Sequence, residues 1–505
     1  MKVVTDLHSH SRYARAVSQQ MVLPVISEWA ALKGIDIVST GDWTHPLWFK
    51  ELQAQLEEAA PGLYGLKGSR VLPRVLPPPD AASGRVSGSL SAQAGLPRVS
   101  PASPLFLLST EVAAIYSQGG KGRRIHMLIF APSLTAVEKI NKELTRRGAN
   151  LFSDGRPILG MSARDVTQIV FETDERCLVI PAHAWTPWFS LYGSMSGFDS
   201  IEECFGDMAQ FVYGIETGLS SDPAMNWRVA DLDNRAILSF SDAHSPAKLG
   251  REATVFELPE VSYEMIRRSI VAGPAPLHPT QTSSLNAAGA RVGAPRVSPA
   301  PHIVYTIEFY PEEGKYHFTG HRDCNVRQTP EETKELGSTC PVCKRPLTVG
   351  VMHRVEELAH NPPITSHLPA QAGQSLITDE HGVRWIKHPN NRPQYVTMVP
   401  LLEILSEAIG SLTTSQRVIS EYKKLTELVG NEFFVLLQTK SEEIERVSGG
   451  KIREALEKVR SGSIVVEPGY DGVFGKVKIW SSDTKSMDGK ENKLQEESKE
   501  QIGLF

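Results

Sequence analysis

The sequence predicts an α/β fold centred on a closed β/α barrel, and three observations lead there. Seven short apolar runs fall in its first half. Helix-like stretches separate most of them, and strands alternating with helices indicate a parallel sheet. Most of the runs stop at histidine, aspartate or glutamate, as barrel strands do at the face that carries chemistry. Their uniform apolarity indicates burial on both faces.

In chain order, KVVTDLHSH leads into Asp6, His8 and His10, and IDIVSTGDWTH into Asp42 and His45. LFLLSTEV ends near Glu111, whereas RRIHMLIFAPS carries His126 inside the run. CLVIPAHAW ends at His183, VYGIETG at Glu216, and ILSFSDAH at Asp242 and His244. Alternate residues of an extended chain project to one side, so Asp242 and His244 can reach one point beyond their strand. Helical periodicity spans 23–33, 134–147, 163–172 and 200–211.

With 505 residues the chain exceeds one compact core, so two or three domains are expected. A hydrophobic fraction of 41% and a charged fraction of 22% describe an ordinary globular composition. No apolar run is long enough to span a bilayer, and MKVVTDLHSH meets charged residues too early for a signal peptide, so no membrane partner is expected. Five cysteines, three of them clustered, argue against a disulfide framework and for a reducing cytoplasm. A net charge of −5 excludes wholesale coating of nucleic acid but leaves room for a local basic groove.

One histidine at a strand end is usually a surface residue. Carboxylates and imidazoles crowded at one mouth would repel or need protons unless cations neutralise them. Such mixed ligands suit zinc, manganese or iron, and two ions can clamp a phosphate.

The motifs DLHSHS, GDWTH, STEV, RRIHMLIFAPS, PAHAW and SDAHS resemble those of the polymerase and histidinol phosphatase (PHP) superfamily of metal-dependent phosphoesterases. GRPILG, PAHAWTPWFSLYGSMSGFDSIEECF, IETGLSSDPAMNWR and SDAHSPAKLGREA closely resemble endonuclease Q. FYPEEGKYHFTGHRDC, CPVCKRPLTVGVMHRVEELA and EPGYDGVFGKVKI extend the likeness into the second half. It covers roughly residues 1–70, 104–275, 302–360 and, more loosely, 395–480. The resemblance implies a distorted (β/α)7 PHP barrel over 1–275 and nicking of DNA on the 5′ side of uracil, hypoxanthine or abasic sites. It implies His8, His10, His45, Glu111, His126, His183, Asp242 and His244 as metal ligands, with Asp242 and His8 at the catalytic centre. Two or three divalent ions (zinc, manganese or magnesium) would sit there. Many superfamily members carry another ligand shortly after the first motif, where this chain reads SRYARAVSQQM, so two metals are the firmer expectation. Asp6 and Asp42 are expected to orient neighbouring ligands. Damaged DNA is the expected partner, with replication or repair proteins beside it.

A second cluster lies in GHRDCNVRQTPEETKELGSTCPVCK. Cys340 and Cys343 form a C-x-x-C knuckle and Cys324 precedes them; a four-cysteine ribbon would want a further cysteine near Arg327, and His321, three before Cys324, can replace it. Three sulfurs and one imidazole suit one structural zinc, in a module over 302–360. Cys177 and Cys204 read as core residues. The Pro-, Gly- and Ser-rich stretches 70–104 and 276–301 share PRVSPA and read as disordered insertions. Residues 361–480 read as a mainly helical C-terminal domain, and 481–505 as a flexible tail.

Phosphate contacts would come from GGKGRR, including Arg123 and Arg124, from Arg146 and Arg147, and from the basic edge of the zinc module. Trp43, Trp185 and Trp188 adjoin metal-motif residues and read either as a stacking wall for an extruded base or as rim packing. SSDPAMNWR, with Ser220, Asp222 and Asn226, is placed near the same mouth. The competing function is a barrel phosphatase acting on a small phosphomonoester, which needs neither the zinc module nor the helical appendage. A nucleotide-driven motor is excluded, because GVFGKV lacks the spacing and hydroxyl of a P-loop.

Overall fold

The computed structural model describes residues 1–69, 103–274, 300–359, 374–390 and 392–481. The expected insertions at 70–104 and 276–301 and the tail at 481–505 lie almost entirely outside the described residues.

The first half contains β1 (Lys2–Asp6), β2 (Ile37–Ser39), β3 (Leu56–Ala60), β4 (Leu63–Leu66), β5 (Leu105–Gln118), β6 (Lys121–Ala131), β7 (Ile158–Leu159), β8 (Leu178–Pro181), β9 (Gly214–Glu216), β10 (Ala236–Leu238) and β11 (Ala253–Glu257). All seven apolar runs form strands: β1, β2, β5, β6, β8, β9 and β10. Between them lie α1 (Leu23–Lys33), α2 (Pro46–Gln55), α3 (Leu134–Arg146), α4 (Ala163–Thr173), α5 (Ile201–Phe205), α6 (Pro223–Asn226) and α7 (Tyr263–Val271). Side chains of Ser133, Ser162 and Ser200 cap α3, α4 and α5, each accepting a backbone N–H of the first turn.

The central sheet is mixed rather than wholly parallel, which corrects the expectation from strand–helix alternation. β1–β2 and β2–β5 pair parallel, but β1–β11, β5–β6 and β6–β8 pair antiparallel. The cause is local. β5 and β6 are joined by Gly119 and Gly120 alone, at φ 59° and 75°, the left-handed pair that a two-residue hairpin demands. A tight hairpin can only return antiparallel. β9 and β10 form a separate parallel pair. Ala184 N–H donates to Glu216 O (3.0 Å) beyond the end of β8, and a parallel bridge joins Ser9 to Ala243 beyond β1 and β10. A core of Leu7, Ile37, Leu107, Leu128, Ile180, Leu238 and Phe240 packs among these strands. A larger one lies under the helices and runs into the second half.

That second half begins with β12 (His302–Glu308), which pairs with β11, and continues through β13 (Thr319–His321), β14 (Val326–Gln328), α8 (Pro330–Leu336) and α9 (Val351–Leu358). Next, β15 (Ser375–Thr378), β16 (Arg384–Lys387) and β17 (Gln394–Thr397) extend the central sheet, with β17 parallel to β12. These strands fall inside the stretch read as mainly helical. Helices α10 (Leu401–Ile409), α11 (Gln416–Leu428), α12 (Glu432–Leu437), α13 (Ser441–Ser448) and α14 (Gly450–Ser461) follow, then β18 (Val465–Glu467) and β19 (Lys476–Lys478). Among the described residues no helix is long and apolar enough to cross a membrane.

The helical region docks on α1 at a close contact. Gly34 ends α1 at φ 89°, and a Cβ there would fall 2.3 Å from Asn431 Oδ1, the side chain that caps α12. Beside it Lys33 Nζ lies 2.7 Å from Glu432 Oε2, and both side chains are buried. Tyr422 OH and Leu401 N–H also donate to that carboxylate, at 2.8 and 3.0 Å.

Candidate metal centre

Glu111 stands at the middle of a buried cluster. It projects from β5 on the same face as Ala113, which pairs with His126 across the hairpin, so the two ligand candidates are diagonal neighbours. Glu111 Oε1 lies 2.8 Å from His126 Nδ1 and 3.1 Å from His183 Nε2. Its Oε2 faces the other way, 3.3 Å from His10 Nε2 and 3.7 Å from His8 Nε2. Asp242 Oδ1 closes that side, 3.1 Å from His10 Nε2, 3.4 Å from His8 Nε2 and 3.6 Å from His244 Nδ1. Three overlapping groups result: His8, His10 and Glu111; His10, Asp242 and His244; and Glu111, His126 and His183.

Turns, rather than the strands themselves, aim three of the site residues. Asp42, His183 and Asp242 have φ of 46°, 29° and 47°, a left-handed conformation uncommon outside glycine. The Asp242 turn is pinned from below by Asp6, whose carboxylate accepts from Ser241 N–H (2.9 Å), Ser241 OH (2.6 Å) and Gly250 N–H (2.9 Å). Asp6 touches no ligand imidazole in these bonds; it shapes the turn that presents Asp242. Asp42 does meet an imidazole. It accepts from His10 Nδ1–H at 3.0 Å and from Ser11 N–H at 2.5 Å.

Glu216 plays the matching part for His8, accepting from its Nδ1–H at 2.8 Å and from His183 N–H at 2.7 Å. A carboxylate can only accept, so each Nδ1 carries the proton and each Nε2 is turned toward Glu111 and Asp242. His8 Nε2 is buried and has no hydrogen-bond partner.

The electrostatics describe a cluster that demands positive charge. Burial works against charging His8, but Glu216 and Asp242 outweigh it and hold its pKa well above the ordinary value. His10 behaves likewise, with Asp42 and Asp242 outweighing burial. Burial also opposes ionisation of Glu111 and Asp242. The facing His126 and Arg156, and His8, His244 and His10, respectively, nonetheless hold both well below the carboxylate range. Burial takes His126 and His244 down to about 4, leaving neutral imidazoles with a lone pair to offer. Protons or divalent ions satisfy the same demand. Imidazole nitrogens and carboxylate oxygens converging without a shared donor fit a metal.

His45 stands outside the three groups. Its ring stacks on Tyr13 (4.5 Å between centroids) and meets Phe152 edge-on at 5.8 Å. Two tryptophans expected at the mouth are core residues. Trp43 and Trp185 are 0% and 1% exposed, and the Trp185 indole donates to Asn226 Oδ1 at 2.7 Å. Trp188 is half-buried against Tyr316. Arg123 is also committed internally, to the Gly197 carbonyl, to Glu203 and to the face of Phe198, whereas Arg124 is exposed. Cys177 and Cys204 are buried, as read.

Two contributors escaped sequence reasoning. Glu216 was visible as a carboxylate at a strand end, but its pairing with His8 was not. Arg156 donates to Glu111 Oε2 at 3.0 Å from a loop with no periodic signal.

The second group, His321, Cys324, Cys340 and Cys343, comes together as the spacing predicts. In each half the residue after the second ligand is left-handed: Asn325 at φ 52° and Lys344 at φ 63°. These are paired knuckles, with Lys344 N–H closing on Cys340 O at 3.0 Å. The backbone and guanidinium of Arg345 bring the Cys343 thiol down to about 6, which favours the thiolate that metals take.

The chain is similar to several known proteins. A family model described as the MJ0043 C-terminal domain matches residues 400–463. MJ0043 itself, an uncharacterised protein of Methanocaldococcus jannaschii, is 30% identical over 302 residues; these are 58% of this chain but 31% of that protein. The chain thus spans less than a third of that relative. The uncharacterised YqxK of Bacillus subtilis is 26% identical over 379 residues, 74% of this chain and 79% of that one. Among solved structures, the lesion-specific endonuclease PfuEndoQ from Pyrococcus furiosus superposes with a TM-score of 0.70 at 27% identity. That match covers 98% of this chain and 99% of the other. Endonuclease Q in complex with a 27-mer duplex carrying an abasic lesion at its active site gives 0.70 at 28% identity, covering 97% and 99%.

Proposed function

The chain belongs to the endonuclease Q family by its structure over nearly its whole length, and from that premise we propose that it is a metal-dependent DNA repair endonuclease. It nicks the phosphodiester on the 5′ side of a deaminated base or abasic site. The observation that carries the reading is Glu111, one carboxylate shared between the His8–His10 side and the His126–His183 side of a buried, donor-poor cluster. The Ser9–Ala243 bridge and the Ala184–Glu216 bond support a seven-stranded PHP barrel around it.

His8, His10, Glu111, His126, His183, Asp242 and His244 would hold divalent ions, with His45 beside them. Such ions supply Lewis-acid polarisation of the phosphodiester and stabilise the charge that develops on its oxygens. The protein's own part is orientation. Glu216 and Asp42 fix the tautomers of His8 and His10, and Asp6 fixes the Asp242 turn. Arg156 adds a permanent positive charge at the edge of the cluster, largely buried and against Glu111. His321, Cys324, Cys340 and Cys343 would hold one structural zinc.

Labelled duplexes bearing uracil, hypoxanthine or an abasic site, with undamaged duplex as control, test the reading. Nicking of a lesion strand that stops with chelator and returns with zinc, manganese or magnesium supports it. Release of phosphate from a small phosphomonoester with intact lesion DNA would replace it by the phosphatase reading.

A further inference from the structure

We propose that Phe152 is a wedge that enters the base stack beside the lesion and holds the duplex open while the damaged nucleotide occupies the metal centre. The inference rests on the endonuclease reading and adds a residue to it. Phe152 is 63% exposed, among the most exposed large apolar side chains of the described residues. A bare phenyl ring on a loose loop would be unremarked, but this ring sits on a turn tied down at every step. Phe152 N–H donates to Asn150 Oδ1 at 3.2 Å, and Ser153 OH donates to Asn150 O at 2.8 Å. Asp154 accepts from Arg15 N–H and Arg156 N–H, and Gly155 N–H donates to Tyr13 O at 3.0 Å.

Gly155 has no side chain for a reason. A Cβ there would lie 2.6 Å from Asp42 Oδ2, on the carboxylate that orients His10. The turn is therefore fixed to the frame of the metal centre. Its ring leans on His45, which in turn stacks on Tyr13, so Phe152 is the outermost of three stacked or edge-on rings. Arg15, 76% exposed at the side chain and tied by its backbone N–H to Asp154, flanks the turn and suits a phosphate beside it.

A base inside a duplex cannot reach a buried cluster without leaving the stack. Apolar side chains inserted between base steps compensate for lost stacking, and a rigid one does so without being ordered on binding. With Trp43 and Trp185 in the core, Phe152 is the exposed aromatic adjoining His45 and fixed to the ligand frame.

The test compares a matched duplex with a duplex whose same lesion lies in an unpaired bubble, where no stack remains to be opened. Phe152→Ala is expected to slow nicking of the matched duplex by about tenfold or more, while bubble nicking stays within about twofold of wild type. Phe152→Trp is expected to restore the matched-duplex rate. With 2-aminopurine next to the lesion, wild-type binding should raise fluorescence and the alanine variant should not. Metal content and Tm of the variants serve as controls for folding. Equal slowing on both substrates, or no slowing on either, overturns the wedge and leaves the endonuclease reading standing. A wild-type protein that nicks neither substrate overturns the endonuclease reading, and the wedge with it.

Discussion

Replacing Lys33 by methionine should be among the most destabilising single changes in the chain, although it lies outside the metal cluster. Lys33 and Glu432 meet at 2.7 Å with side chains 0% and 2% exposed. At that separation, with an effective dielectric of about 20, the bare attraction is about 6 kcal/mol, and desolvation of both ions opposes it. Methionine fills the aliphatic volume but leaves the Glu432 carboxylate buried with Tyr422 OH and Leu401 N–H as its remaining donors. Breaking one side of a buried pair costs about 3–5 kcal/mol, and those two donors put this case at the lower end. Lys33→Met with Glu432→Gln removes both charges and keeps hydrogen-bond partners for Tyr422 and Leu401. The double variant should therefore recover about 2 kcal/mol relative to Lys33→Met alone. Equilibrium urea unfolding reads the difference, and Trp29, on α1 with its ring 6.0 Å from Tyr422, reports locally through fluorescence. A Lys33→Met protein within about 1 kcal/mol of wild type would refute the argument. So would a double variant no more stable than the single one.

Asp242→Asn and His8→Ala should each abolish nicking while leaving the circular dichroism spectrum unchanged; near-normal turnover in either removes the active-site assignment. Cys340→Ser should release about one zinc per chain and lower Tm, while the metals of the Glu111 cluster persist. His321→Ala should release the same zinc; unchanged zinc content would show that the fourth ligand lies elsewhere. Burial raises Asp222 to about 6, against backbone bonds from Met225 that lower it. Its native form thus holds a proton that the unfolded chain releases above an ordinary pKa of 3.8. The associated stability is present at pH 3.5, set below that value, and is lost as pH rises through 6. Asp222→Asn should not suffer this loss, so its stability relative to wild type should improve between pH 4 and 7, by up to about 3 kcal/mol. A difference that is flat with pH, measured by urea unfolding across that range, would contradict it.

The strands and most ligand candidates were legible because both signals are local: an apolar run, then a coordinating residue. The His321, Cys324, Cys340 and Cys343 group is legible for the same reason, since its four residues sit on two short knuckles. Pairing direction was harder to see. Gly119–Gly120 between two runs is a hairpin signal, but the pair opens GGKGRR, where the charge is the louder feature. For Trp43 and Trp185 the burial favours packing, the second of the two readings the sequence leaves open. Trp43 follows Asp42 directly and Trp185 stands two residues after His183; both of those site residues adopt left-handed φ, so the chain turns there and side-chain direction cannot be read from strand alternation. Glu216 and Arg156 act through partners far away in sequence, and spacing carries no trace of such contacts. The strands at 375–397 are short and depend on an open edge of β12, a property of the assembled sheet rather than of their own composition.

The β5–β6 hairpin also sets where this chain can tolerate insertions and deletions. Glu111 and His126 come from adjacent strands joined through one turn, and the ladder between Leu108–Ala131 and Gln118–Lys121 is unbroken. Losing a single residue between 112 and 117 would rotate one strand by half a pleat relative to the other and send Glu111 and His126 to opposite faces. The same loss at the Gly119–Gly120 tip would only reshape a solvent-facing loop. Length variation among relatives should therefore concentrate at the tip and be scarce in the ladder, a pattern of gaps rather than of residue identities that marks the shared carboxylate.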